Sequence, residues 1–166
     1  LDNLEFTPRE ARRIGFPLSD AVVKREVTIM EGTRQCALFA LEHGVSLNIA
    51  GGTHHAFTNR GEGFCLLNDI AIATRFLLTA HLAQKILVVD LDVHQGNGTA
   101  QIFRGDPRVF TFSMHGANNY PLQKEVSDLD IGLADHTSDA FYLKTLDTNL
   151  KNLIDQEEPD FMFFQS

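Results

Sequence analysis

Basic charge is scarce in this chain. Fourteen lysines and arginines stand against 22 aspartates and glutamates over 166 residues, a formal net charge of −8. That balance argues against a general affinity for nucleic-acid phosphates or anionic membranes, leaving only a local basic patch as a route to either. No apolar run reaches the roughly 18 residues a membrane span needs, and no basic-then-apolar leader opens the sequence. A cytoplasmic location is the expectation. Cysteine is scarce too: Cys36 and Cys65 form neither a C-x-x-C pair nor a zinc-finger spacing. Two buried free thiols in a reducing compartment are expected. There is no G-x-S-x-G and no cysteine in a motif with histidine, so covalent nucleophilic catalysis has no support. Gly96 and Gly98 are not followed by a third glycine, since position 101 is Gln101, so no dinucleotide fingerprint exists.

Linkers, internal repeats and low-complexity segments are also missing, and residues 1–166 read as a single α/β domain. Four apolar segments read as buried strands: 46–50, 85–92, 108–114 and 160–165. Helical spacing marks 19–42, opened by Ser19-Asp20 and closed by Gly44, then 64–83, 99–103 and 138–156. Strands alternating with helices imply a mostly parallel sheet covered on both faces, a three-layer α-β-α arrangement. Both ends read as internal to a longer domain. The chain opens on Leu1-Asp2-Asn3-Leu4 and stops just after the apolar run Phe161-Met162-Phe163-Phe164, where a strand would deliver its functional loop.

In an open parallel sheet, ligands bind beyond the carboxyl ends of the strands. The polar residues gather where that rule directs. Gly51-Gly52-Thr53-His54-His55 follows the first candidate strand, while the second ends in Asp92-Val93-His94 and the third in Ser113-Met114-His115. Four of the seven histidines are therefore expected at one sheet edge. In Ile86-Leu87-Val88-Val89-Asp90-Leu91-Asp92-Val93-His94, strand alternation would put Asp90, Asp92 and His94 on one face. Two carboxylates and an imidazole there call for a divalent metal. Asp92 and His94 suit zinc, with ferrous iron as the alternative. A catalytic zinc normally takes three protein ligands, so the third comes from His115 or, more naturally, from residues past Ser166. Gly51-Gly52 permits a tight loop, and a neutral imidazole from His54 or His55 can serve as general base. Asn97 can hydrogen-bond a catalytic imidazole. The run Gly61-Glu62-Gly63-Phe64-Cys65 reads as a turn or as the wall of a narrow channel.

These residues carry a resemblance. Gly51-Gly52-Thr53-His54-His55-Ala56, Gly61-Glu62-Gly63-Phe64-Cys65-Leu66-Leu67-Asn68-Asp69 and Val89-Asp90-Leu91-Asp92-Val93-His94-Gln95-Gly96-Asn97-Gly98 together resemble the zinc-dependent histone deacetylase family. The His-Gln-Gly-Asn-Gly form is similar to its class IV and bacterial branch. The likeness runs from about Gly32 to Ser166. It implies the arginase/deacetylase fold, incomplete at both ends, and hydrolysis of an acylated lysine or another acylated amine. By position, it implies that Asp92 and His94 ligate zinc and that His54 and His55 flank the attacking water. Asp90 would orient His54, and Asn97 would pair with His55. Gly63, Phe64 and Tyr120 would line the acyl channel. Asp90, Ser113 and Met114, with Asp92 and His94, match a structural potassium or sodium site. Class I members carry Asp where this chain has Asn97. An amide cannot stabilise an imidazolium by charge, so a neutral His55 base is implied. Tyr120-Pro121 also lacks the Gly-Thr-Gly turn that follows in class I. The family's third zinc ligand, an Asp, and its carbonyl-polarising Tyr lie downstream of a strand like 160–165, so the fragment alone is expected to be inactive. An acetylpolyamine amidohydrolase and a non-catalytic metal-binding module of the same fold are the rival readings.

Overall fold

The computed structural model describes residues 6–166; the opening Leu1–Leu4, read above as an internal start, lies outside them. The chain divides into two compact units, Leu1–Leu82 and Ala83–Ser166.

The first unit is helical. Helix α1 spans Pro8–Ile14, α2 Asp20–His43 and α3 Asp69–Thr79. Thr7 and Glu10 form a reciprocal capping box, with Pro8 in the first turn, where its missing N–H costs nothing. That T-P-R-E signature was legible in the sequence, although α1 was not anticipated. Ser19 caps α2 by accepting from the Val22 N–H, and Asn68 caps α3 by accepting from the Ala71 N–H. Helix α2 buries Ile29, Met30, Thr33 and Ala37 on one side and packs against α3.

Two sequence expectations fail in this unit. Segment 46–50 is not a strand. Asn48 ties it to α2 instead, donating to Ile29 O and Thr33 Oγ1, while its own Oδ1 accepts the Ala50 N–H. A short polar side chain thus supplies the bonds a strand partner would have made. Val45, Leu47 and Ile49 are 80% exposed or more, so their apolar character reflects no sheet burial. Helix α3 also starts at Asp69 rather than Phe64, because Phe64 holds φ of 63° and Glu62 and Cys65 close a turn.

The second unit is a four-stranded sheet with helices on both faces. Strand β1 spans Ile86–Asp90, β2 Val109–Gly116, β3 Leu129–Leu133 and β4 Phe161–Gln165; α4 spans Asn97–Phe103 and α5 Asp139–Glu157. The order is β3-β2-β1-β4, and every pair is parallel. Strand β1 is buried along its whole length, as a parallel strand covered on both sides must be. On one face Leu87, Val89, Phe112 and Met114 meet Leu153, with Tyr142, Leu146 and Leu150 of α5 packed against them. On the other, Val88, Asp90, Thr111 and Ser113 share a small cavity with Thr99 and Ala100 of α4. The anticipated three-layer α/β architecture is therefore present.

Strand β3 was not anticipated. Its Leu-Asp-Ile-Gly-Leu sequence mixes an acid and a glycine into a half-buried edge, a composition that reads as loop. The chain runs from β1 outward to β2 and β3, then returns through α5 to place β4 on the far side of β1. Right-handed crossovers in opposite directions put α4 and α5 on opposite faces. The carboxyl end of β1 is consequently the topological switch point, the place where such sheets bind ligands.

Candidate functional site

At that switch point the register aligns four polar residues, Asp130, Ser113, Asp90 and Gln165, across β3, β2, β1 and β4. Strand β1 stops at Asp90, two residues earlier than expected. Asp90 Oδ1 accepts the Asp92 N–H at 3.1 Å, and Asp92 Oδ1 accepts the His94 N–H at 2.7 Å. The ladder makes one more bond, Leu91 N–H to Gln165 O at 2.8 Å, and the two successive side-chain-to-backbone bonds then curl the chain. Alternation along a strand is therefore not what places Asp92 and His94; consecutive Asx-type turns are. The result still suits a metal. Asp92 Oδ1 and His94 Nδ1 lie 3.0 Å apart, both side chains partly open to solvent. Two donors sharing one ion at about 2.0–2.1 Å stand close to that distance. A carboxylate oxygen and an imidazole nitrogen are also the right donor chemistry for zinc.

His115 does not complete this pair. It sits within β2 rather than after it, buried, with Nδ1 2.9 Å from Ser113 Oγ. Among the described residues no three His, Cys, Asp or Glu side chains converge on one metal position. Burial holds the His115 imidazole below its usual range, against the pull of the Asp130 carboxylate. Ser113 and Met114 are buried neighbours on β2. Asn97 is the first residue of α4 and almost wholly buried, its N–H bonded to Gln95 O. Tyr120 is half-open, its ring edge-on to the His94 imidazole with centroids 6.0 Å apart.

The histidine pair belongs to the first unit. His54 and His55 occupy a turn, not the end of a strand, and both are buried with ring centroids 4.0 Å apart. Asp69, at the start of α3, holds this turn. Its Oδ1 accepts the Thr53 N–H at 2.8 Å and the Thr53 hydroxyl at 2.9 Å; its Oδ2 accepts the Gly52 N–H at 3.1 Å and the Thr33 hydroxyl at 2.7 Å. A Cβ on Gly51 would stand 2.6 Å from Asp69 Oδ2, so the double glycine serves the approach of this carboxylate. Gly63, at φ of 55°, is likewise needed where it is, because a Cβ there would meet His55 Cδ2 at 2.8 Å. Phe64 beside it is 69% exposed. Cys65 is a buried free thiol pushed up to about 12, first by burial; Cys36 is only half-buried, against expectation.

Residues 8–166 match the model of the histone deacetylase domain. The chain belongs to the histone deacetylase family. It is 30% identical to histone deacetylase RPD3 of Saccharomyces cerevisiae over 99% of its own length and 41% of that deacetylase. Histone deacetylase 2 of Arabidopsis thaliana is 30% identical over 81% of the chain and 36% of that protein. An uncharacterized protein of Picosynechococcus is 55% identical over 97% of the chain. The chain spans 54% of that relative, so it covers about half the length of such proteins or less.

The sequence singled out His54, His55, Asp90, Asp92, His94 and Asn97; the structure places the first two in a turn, Asp90 at the end of β1, Asp92 and His94 in the turn after it, and Asn97 at the start of α4. The sequence assigned nothing to Asp69 or Gln95. Their chemistry depends on backbone groups distant in sequence, although Asp69 standing at a helix start and Gly51-Gly52 upstream were the available signals.

Proposed function

We propose that the protein carrying this chain is a zinc-dependent amidohydrolase that removes acyl groups, acetyl or longer, from lysine side chains. The observation that carries this reading is the 3.0 Å pairing of Asp92 Oδ1 with His94 Nδ1 at the switch point of a sheet in a deacetylase-family chain. Asp92 and His94 would hold the zinc. Zinc, when bound, supplies a Lewis acid that polarises the amide carbonyl and acidifies water. His55 would take the proton as the water oxygen bonds to the carbonyl carbon. His54, whose ring lies beside that of His55, would balance the charge that develops. The carbon–nitrogen bond then breaks, and a histidine returns the proton to the departing amine. Gly63, Phe64 and Tyr120 bound the acyl chain and exclude water. Ser113 and Met114, with Asp90, would hold a potassium or sodium ion that stiffens the strand ends. The cytoplasm is the compartment in which this activity is expected, with neither nucleic acid nor membrane as partner.

The test is release of acetate from an acetyl-lysine peptide by the intact protein. His55→Ala and Asp92→Ala should each cut kcat/KM by about a hundredfold or more. Unchanged turnover in either variant overturns the assignment. The formal charge of −8 favours a second substrate, a small cationic acylamine such as acetylspermidine. A higher kcat/KM for it than for the peptide selects that reading. Bound zinc with no turnover of either substrate selects a non-catalytic module.

A further inference from the structure

Gln95 has no part in the chemistry assigned above, yet its side chain is completely buried. Its Nε2 donates to Glu125 O and to Asp130 Oδ1, each at 2.8 Å, and its Oε1 accepts the Glu125 N–H at 2.8 Å. The amide engages both backbone groups of one distant residue, as a neighbouring strand would. Its own backbone N–H reaches Tyr120 O at 3.3 Å. One residue therefore fastens both ends of segment 120–125 to the turn that presents His94. Lys124 adds bonds to Pro121 O within the same segment and to Asn119 O just before it. Arg104 adds an ion pair to Glu125 with its guanidinium more than half exposed, a contact that contributes little.

The chemistry at this position demands an amide. Gln95 faces a carbonyl, an N–H and a carboxylate at once, so it must donate twice and accept once. A methionine would match its length and bond none of them. A glutamate would keep the acceptor for Glu125 N–H and set a second carboxylate against Asp130.

We propose that Gln95 is a positioning residue: it clamps the 120–125 segment so that Tyr120 stays edge-on to His94, and through Tyr120 it sets how the acyl chain is gripped. This rests on the deacetylase reading, in which Tyr120 lines the acyl channel. The experiment uses the intact protein with Q95M, Q95E, Y120A and the Q95M/Y120A double variant. Three quantities are read: backbone hydrogen exchange, zinc content, and kcat and KM on acetyl-lysine and octanoyl-lysine peptides.

Q95M should speed exchange across 117–127 about tenfold or more while β1 and β2 stay protected. It should raise KM about tenfold, change the acetyl-to-octanoyl preference, and leave zinc content intact and kcat within about threefold. Q95E should act in the same direction and more strongly. The double variant should have the KM of Y120A alone, because the clamp acts through that ring. Unchanged exchange in Q95M, additive KM effects, or a fall in kcat and zinc at constant KM would each overturn the proposal. If the unmodified protein hydrolyses neither peptide, the deacetylase reading fails, and exchange alone decides the clamp. If Q95M does not fold, the unmodified protein decides it: a Glu125 amide as protected as those of β2 upholds the clamp. A Glu125 amide exchanging as fast as that of exposed Leu122 refutes it.

Discussion

Replacing Asp69 tests the most consequential contact in the first unit. Its carboxylate accepts from two backbone N–H groups, Gly52 and Thr53, and from two hydroxyls, Thr33 and Thr53. In Asp69→Ala the hydroxyls can rotate to other acceptors, but the N–H groups are fixed by the backbone. Each stranded N–H costs about 1–3 kcal/mol. Gly52 and Thr53 are only half-buried, so water recovers part of this, and a net loss of about 2–3 kcal/mol is expected. Asp69→Asn keeps one oxygen, which can still serve Thr53. Its amide nitrogen then faces the Gly52 N–H, so about 1–2 kcal/mol should be lost. Urea denaturation at neutral pH, followed by circular dichroism, measures both. Activity should fall with stability, because the turn that Asp69 anchors carries His54 and His55. Equal losses for the two variants, or a loss for Asp69→Ala below about 0.5 kcal/mol, would show that the carboxylate is not the anchor.

Other outcomes follow from single contacts. Gly63→Ala should lower kcat with little loss of zinc, since a Cβ 2.8 Å from His55 Cδ2 displaces that ring; steady-state kinetics with metal analysis checks this. Iodoacetamide near pH 8 should alkylate half-buried Cys36 and spare Cys65, by mass spectrometry. A thiol raised to about 12 is almost wholly protonated there, and its reactivity should rise only as pH climbs toward that value. His94→Ala should remove most bound zinc from the intact protein, measured by elemental analysis, because one of the two paired donors is gone. Ser138→Ala should cost about 1 kcal/mol by urea denaturation through loss of the α5 cap.

Much of the sheet was legible in the linear pattern, because burial on both faces leaves a mark that needs no context. Ile86 to Val89 is apolar throughout, and β2 and β4 read similarly. Helices announced themselves by caps: Ser19 before α2 and Ser138 before α5. What misled were segments whose partners lie elsewhere. Segment 46–50 reads as an apolar strand, but no strand among the described residues pairs with it, and Asn48 instead bonds to Ile29 and Thr33 of α2. Strand β3 was hidden because its stability comes from register with β2, not from its own composition. The site was legible as residue types and only half legible as geometry. Asp90, Asp92 and His94 were identified together, but the stated reason, strand alternation, holds only to Asp90.

The sequence by itself determined the family to which the chain belongs and which polar side chains fall around the strand ends. Those rest on local identity: a His pair after two glycines, and Asp-x-Asp-x-His at the end of an apolar run. Tertiary structure alone decided how these groups are held. The parallel order β3-β2-β1-β4 makes the end of β1 a switch point. The buried carboxylate of Asp69 fixes the histidine turn, and the Gln95 amide joins two segments 30 residues apart. The reason is physical. A hydrogen bond between distant backbone groups leaves no periodicity in either segment, so it becomes visible only once the chain has folded.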